Sequence, residues 1–235
     1  MPRTRIKICG LTRLLDATAA IALGADALGF VFYPKSPRYQ TPEQVAPMLA
    51  AVPPFVSTVG LFVNATPEEV QATVAVAPVS LLQFHGDETP EQCGQIATLV
   101  NRPFMTVMRV RPETTGLDLL EYDVRCRLAS VMFAGLLLDT YVDSYGGGGK
   151  VFNWSIIPEE LAPRVVLSGG LDVQNATEAV LRVRPHAVDV SSGVEALAGF
   201  KRLPGIKDAD RIAAFVAAIA AADATFPNTP GIFHE

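Results

Sequence analysis

Thr-Pro-Glu occurs three times, as Thr41-Pro42-Glu43, Thr66-Pro67-Glu68 and Thr89-Pro90-Glu91, each time between an apolar run and an amphipathic stretch. A threonine that can accept from the unpaired N–H groups of a first helical turn, followed by a proline already held at helical φ, marks the start of a helix. The runs ahead of the three motifs, Ala27 to Phe32, Ser57 to Val63 and Ser80 to Phe84, are largely apolar. That composition suits strands covered on both faces. Strand, short loop and capped helix recurring about every 20 to 30 residues is how alternating parallel β/α units appear in a sequence.

Two late stretches extend the pattern and say how it ends. Val165-Val166-Leu167-Ser168-Gly169-Gly170 and Val188-Asp189-Val190-Ser191-Ser192-Gly193 are β-branched runs that stop in serine and glycine. Backbone N–H groups there can surround an oxyanion with no side chain in the way. Between them, Val173 to Val183 places apolar residues at helical spacing, so the two loops lie one helix apart. With Ile6 to Gly10, Phe104 to Val110 and Gly135 to Asp139 as further strands, the count reaches eight. The reading is a single-domain α/β protein, a closed parallel (β/α)8 TIM barrel over residues 1–222, with 223–235 as a tail outside it. The glycine loops then fall where such barrels bind phosphate, with a short helix expected near Val194. An open doubly wound sheet would carry its glycine fingerprint after the first strand instead.

The remaining helices are placed more loosely. Thr12 is read as the cap of a first helix through Leu23, with Leu14, Leu15, Thr18, Ile21 and Ala22 as its apolar stripe. A less regular helix covers about Leu117 to Leu128, Asn153-Trp154 begins a short sixth one, and Asp208 to Ala222 forms the last. Tyr141 to Lys150 contains four consecutive glycines and reads as a mobile stretch.

Charge and cysteine content exclude several functions. A net charge of -5 with no basic patch argues against a nucleic-acid partner. Ile212 to Ala222 falls short of the ~20 apolar residues that a membrane span needs, and the N-terminus has no apolar signal region. Cys9, Cys93 and Cys126 are an odd number without metal-ligand spacing, which implies neither a disulfide framework nor a metal site and points to the cytoplasm.

In a closed barrel, reactive groups belong at the C-terminal ends of strands. Cys9 ends the first strand, Gln83 and His85 the fourth, and Asp139 the sixth. An aspartate closing the run Gly135-Leu136-Leu137-Leu138 needs either a partner or a pocket, because an unpaired buried charge is costly. Lys7 shares a strand face with Cys9. Asp189 lies on the strand that must neighbour the first on closure, so a Lys7 to Asp189 ion pair is expected inside the barrel. His85 has no evident carboxylate partner and is read as lining the pocket, while His186 and His234 read as surface residues. Arg38, in a loop stiffened by Pro34 and Pro37, can offer a planar fork to a carboxylate or form an exposed salt bridge.

Six blocks now coincide with strand ends: Lys7-Ile8-Cys9-Gly10-Leu11-Thr12, Gly29 to Tyr39, Gln83-Phe84-His85-Gly86-Asp87-Glu88, Leu136 to Thr140, Leu167-Ser168-Gly169-Gly170-Leu171 and Asp189 to Glu195. In order and spacing, over residues 5 to 222, they resemble the phosphoribosylanthranilate isomerase family of tryptophan biosynthesis. The resemblance implies an Amadori rearrangement of N-(5'-phosphoribosyl)anthranilate to 1-(2-carboxyphenylamino)-1-deoxyribulose 5-phosphate. It implies Asp139 as general acid, Cys9 as general base and Arg38 on the anthranilate carboxylate. Gly169, Gly170, Ser192 and Gly193 would hold phosphate, with Gln83 and His85 lining the site. It implies no metal or organic cofactor; the partner expected is a small molecule alone, and the state, which the sequence does not decide, is read as monomer or homodimer. One departure stands out: Ala196 to Leu203 is inserted before Pro204-Gly205-Ile206-Lys207-Asp208. A different phosphosugar barrel enzyme, such as one like indole-glycerol-phosphate synthase, and a non-catalytic phosphosugar-binding barrel are the rival readings.

Overall fold

The computed structural model of the chain describes residues 3–142 and 151–226. Eight parallel strands close in chain order: β1 (Arg5–Ile8), β2 (Ala27–Val31), β3 (Ser57–Phe62), β4 (Leu81–Phe84), β5 (Phe104–Val110), β6 (Phe133–Thr140), β7 (Val165–Leu167) and β8 (Ala187–Val190). Pairing of β8 with β1 seals the barrel, with Lys7 opposite Asp189. Around it run α1 (Leu14–Ala22), α2 (Pro42–Ala50), α3 (Pro67–Val76), α4 (Pro90–Val100), α5 (Gly116–Ala129), α6 (Ala176–Val183) and α7 (Ala209–Asp223).

The Thr-Pro-Glu motifs act as their chemistry requires. Thr41, Thr66 and Thr89 each accept from the backbone N–H three residues on, while the side chain at that position returns a bond to the threonine N–H. Thr115 with Asp118 makes a fourth reciprocal cap, at the start of α5. Each satisfies two N–H groups that a helix start leaves unpaired. Thr66→Ala is expected to lower stability by about 1 kcal/mol, read as a shift in the urea midpoint with an unchanged slope.

Three local expectations are corrected. The short helix near Val194 is instead a single 3-10 turn, Ser192–Val194, followed by an antiparallel hairpin of β9 (Glu195–Ala198) and β10 (Lys201–Lys207). The inserted Ala196 to Leu203 supplies the chain length that makes the hairpin possible. That hairpin also explains why α1 is turned differently. Thr12 does not cap α1 but donates to the carbonyl of Gly205 at 2.6 Å, and Asp16 accepts from the backbone N–H of Lys207 at 2.9 Å. The buried face of α1 is therefore Asp16, Ala17 and Ala20, with Leu14 and Leu15 exposed. Third, the short sixth helix reduces to one 3-10 turn, Trp154–Ile156, capped by Asn153.

Inside the barrel the side chains change character along its axis. At the N-terminal end Val59, Met105, Leu137, Val166 and Ala187 form an apolar plug. Two residues beyond Leu137, Val166 and Ala187, on the same strand faces, come Asp139, Ser168 and Asp189, and Lys7 and Gln83 are buried on β1 and β4. Polar groups thus gather at the C-terminal end, and one mouth is chemically distinct from the other. Asp223, the last residue of α7, accepts from the N–H and hydroxyl of Thr4 at 2.8 and 2.7 Å, and Phe226 packs on the core just beyond it. The rest of the expected tail, and most of the glycine-rich Tyr141 to Lys150 stretch, lie outside the described residues. No helix among the described residues is long and apolar enough to cross a membrane.

Candidate active site

Strand ends build the site. A cavity at the C-terminal mouth is lined by Cys9, Arg38, Gln83, His85, Asp139, Gly169, Gly170 and Ser192, so residues from β1, β2, β4, β6, β7 and β8 or the loops after them converge. Gly193 lies in the 3-10 turn behind them and is buried. Among the described residues, four buried side-chain polar atoms have no hydrogen-bond partner. Three of the four residues, Gln83, His85 and Thr140, line this cavity. Orphaned polar atoms are rare in interiors, so their grouping marks a place built for a polar ligand.

Lys7 and Asp189 meet as the register predicts, at 2.8 Å and nearly inaccessible to solvent. The hydroxyl of Ser168 lies 3.3 Å from the second carboxylate oxygen of Asp189. Gly29 shows how close the cation stands to the thiol. A Cβ there would lie 2.8 Å from Cys9 Sγ and 3.1 Å from Lys7 Nζ, so both groups occupy the space the glycine leaves. Burial pushes the Cys9 thiol pKa up, and the Lys7 ammonium, with Lys207 further off, pulls it partly back.

His85 departs from expectation: its Nε2 is 3.1 Å from Asp139 Oδ2, so it does have a carboxylate partner. The contact is close but not aligned as a hydrogen bond. Gln83 Nε2 lies 3.2 Å from His85 Nδ1. Since an amide nitrogen only donates, Nδ1 accepts and the imidazole proton of the neutral ring sits on Nε2, facing Asp139. The other carboxylate oxygen faces the first glycine loop. At Gly169 φ is +83°, and a Cβ would sit 2.5 Å from the Thr140 N–H nitrogen and 2.8 Å from Asp139 Oδ1. Only glycine permits both the turn and that approach.

Arg38 does not form an exposed salt bridge. Its Nε and Nη2 donate to Glu195 Oε1 and Oε2 at 2.7 and 2.9 Å, and the carboxylate is fully buried. Lys207, also fully buried, lies 3.2 Å from Glu195 Oε1 and donates to the Ser191 carbonyl at 3.0 Å. Neither Glu195 nor Lys207 was singled out from sequence. Burial lowers the Lys207 pKa to about 8 against the opposing pull of Glu195. Between about pH 8 and the ordinary lysine value near 10.4, the unfolded chain therefore binds one proton more than the folded chain at this site. Folding stability from Lys207 rises with pH across that window, by at most about 3 kcal/mol. Denaturation midpoints for the native chain and Lys207→Met should diverge between pH 8 and 10, with the native chain gaining; parallel curves would contradict this.

A glycine cradle beyond the last two strands, with ionisable groups beyond the others, makes this the mouth of a barrel enzyme that acts on a phosphorylated small molecule. Among such enzymes the chain belongs to the family described as N-(5'phosphoribosyl)anthranilate (PRA) isomerase, which it matches over residues 6–218. It is 64% identical to the N-(5'-phosphoribosyl)anthranilate isomerase of Herminiimonas arsenicoxydans, over 96% of this chain and 97% of the relative. It is 53% identical to that of Dechloromonas aromatica, over 94% and 98%. The crystal structure of phosphoribosyl anthranilate isomerase from Thermotoga maritima superposes with a TM-score of 0.79 at 41% identity, covering 93% of this chain and 99% of that one. A further structure of this enzyme, in complex with reduced 1-(o-carboxyphenylamino)-1-deoxyribulose 5-phosphate, gives a TM-score of 0.76 at 39% identity, again over 93% and 99%. The chain is accordingly an isomerase of tryptophan biosynthesis, and the rival barrel functions fall away.

Proposed function

We propose that Cys9 and Asp139 divide the proton transfers of the family's Amadori rearrangement between them, on N-(5'-phosphoribosyl)anthranilate held by its two acidic ends. The observation that carries this reading is the single mouth onto which both groups open, with the cation Arg38 and the glycine loops on its walls. Asp139, in its protonated form, gives its proton to the furanose oxygen. The C1–O bond breaks and the nitrogen lone pair closes the iminium. The cationic nitrogen acidifies the C2 hydrogen, which the Cys9 thiolate removes; the C–H pair becomes the C1=C2 bond and the iminium electrons return to nitrogen. The enolamine then moves its hydroxyl proton away and gains one at C1, which restores both groups and leaves the ketone.

Two features favour the roles in this order. Lys7 stands beside Cys9, held there by Asp189, where an ammonium favours thiolate over thiol. His85 Nε2 stands 3.1 Å from one Asp139 oxygen, and the other oxygen is turned toward the cradle, on the substrate's side. Arg38 would take the anthranilate carboxylate, and Gly169, Gly170, Ser192 and Gly193 the phosphate. Substrate would be lined further by Gln83 and His85. The assignment needs no metal or organic cofactor.

The test follows the fluorescence of freshly prepared phosphoribosylanthranilate. Turnover by the native chain that is unaltered after exhaustive chelation, and lost on alkylation of Cys9, is the expected result. Turnover surviving alkylation of Cys9 would overturn the assignment. We place the chain in the cytoplasm, where its three free cysteines keep their thiols, as a monomer or homodimer. One solved Thermotoga maritima relative is described as a dimer from which monomers were generated, and sedimentation equilibrium decides between the two states here.

A further inference from the structure

Arg38 is not left to find its own orientation. Glu195, the first residue of β9, takes two parallel hydrogen bonds from it and accepts two more groups, the Gly205 N–H at 2.8 Å and the Lys207 ammonium at 3.2 Å. Lys207 in turn bonds Ser191, one residue before the expected phosphate loop. Two cations and one anion, with Glu195 and Lys207 fully buried and Arg38 at the edge of the mouth, are thus packed between the two places where a doubly acidic substrate would bind.

Stability alone gives a poor reason for such a cluster. Desolvating three charges is expensive, and well-packed apolar groups commonly do as well or better. Geometry supplies another reason. A guanidinium has a side edge, Nε with Nη2, and an end edge, Nη1 with Nη2. Glu195 occupies the side edge, so only the end edge remains to face the mouth that Arg38 lines.

We propose that Glu195 is a positioning residue: by gripping the side edge of Arg38 it aims the end edge at a ring carboxylate and so sets the preference for a carboxylated aromatic amine. Lys207 keeps the cluster net cationic and ties it to the phosphate side through Ser191. The hairpin β9–β10 is the element that delivers both groups. The proposal rests on Arg38 as the carboxylate's partner, and its test separates the two.

Affinities are measured by calorimetry for reduced 1-(o-carboxyphenylamino)-1-deoxyribulose 5-phosphate and for the same compound without its ring carboxyl. In the native chain the carboxyl should improve binding by about tenfold or more, the worth of a charge-assisted bond. Arg38→Met should erase that ratio. Glu195→Gln should also collapse it toward one, while affinity for the decarboxylated compound changes by less than about threefold. If Glu195→Gln fails to fold, Glu195→Asp, which keeps the charge but withdraws it by one methylene, is expected to reduce the ratio in the same way. A ratio lost in Arg38→Met but retained in a folded Glu195 variant overturns the proposal and leaves Arg38 in place. A ratio near one in the native chain, or one that survives Arg38→Met, sinks both.

Discussion

Asp139→Asn lowers kcat by about 10² to 10⁴, the usual cost of removing a positioned acid, with little change in KM. The amide keeps the size of the carboxyl group and its place 3.1 Å from His85 Nε2, so the mouth keeps its shape. What it cannot do is surrender a proton to the furanose oxygen. Cys9→Ala is expected to fall within the same range for the opposite reason, since the iminium forms but its C2 hydrogen has no acceptor. A C2-deuterated substrate distinguishes the two blocks. In Asp139→Asn ring opening limits the rate and the isotope effect vanishes; in Cys9→Ala hydrogen removal limits it and the effect is fully expressed. Near-native rates in both variants, or isotope effects in the reverse order, would remove these residues from the roles given to them.

What could be foreseen of this site follows the range of the interactions that make it. Thr41, Thr66 and Thr89 announce their helices because a cap is settled within four residues, and strand ends follow from the same local punctuation. Lys7 and Asp189 were foreseeable for a different reason. Closure of the barrel makes their strands neighbours, and side-chain alternation then sends both inward. His85 with Asp139 uses the same alternation, but the two strands are separated by β5, and nothing local shows that the side chains reach across the mouth. The hairpin is the opposite case. Lys207 sits in a segment that also holds the exposed Lys201 and Arg202, and charge alone does not separate a fully buried ammonium from solvated ones. Its only sequence signal is the two-residue spacing from Gly205 to Lys207. That spacing puts both on one strand face, toward Glu195, once β10 is known to be a strand. The mistaken face of α1 has the same origin, because Asp16 is turned inward by Lys207, a residue nearly two hundred positions away.

Asp189→Asn should destabilise the fold by about 3 to 5 kcal/mol, because it strands the Lys7 ammonium without a counter-charge in the barrel interior. Burial alone would strip Lys7 of its proton, yet Asp189 and, less strongly, Cys9 outweigh that cost and hold its pKa above the ordinary lysine value. A cation whose folded pKa is raised contributes its stability in full below the unfolded value near 10.4 and loses it only as pH climbs through the folded one. The loss in Asp189→Asn is therefore present undiminished at neutral pH, as a lower denaturation midpoint. Lys7→Met leaves the complementary problem, a buried carboxylate whose remaining side-chain hydrogen-bond partner among the described residues is the Ser168 hydroxyl. Replacing both, as Lys7→Met with Asp189→Leu, removes the charges together and should restore much of the stability. It should not restore turnover. With both charges gone, Cys9 keeps the upward push of burial and loses the pull of Lys7, which outweighs the smaller opposing push of Asp189 lost with it, so its alkylation by iodoacetamide should need a higher pH and the rate profile should move the same way. A double variant that folds, turns over at the native rate and alkylates at the native pH would show that the pair only closes the barrel. A stable but slow double variant, with its thiol titrating later, would assign Lys7 a part in the chemistry that packing alone does not explain.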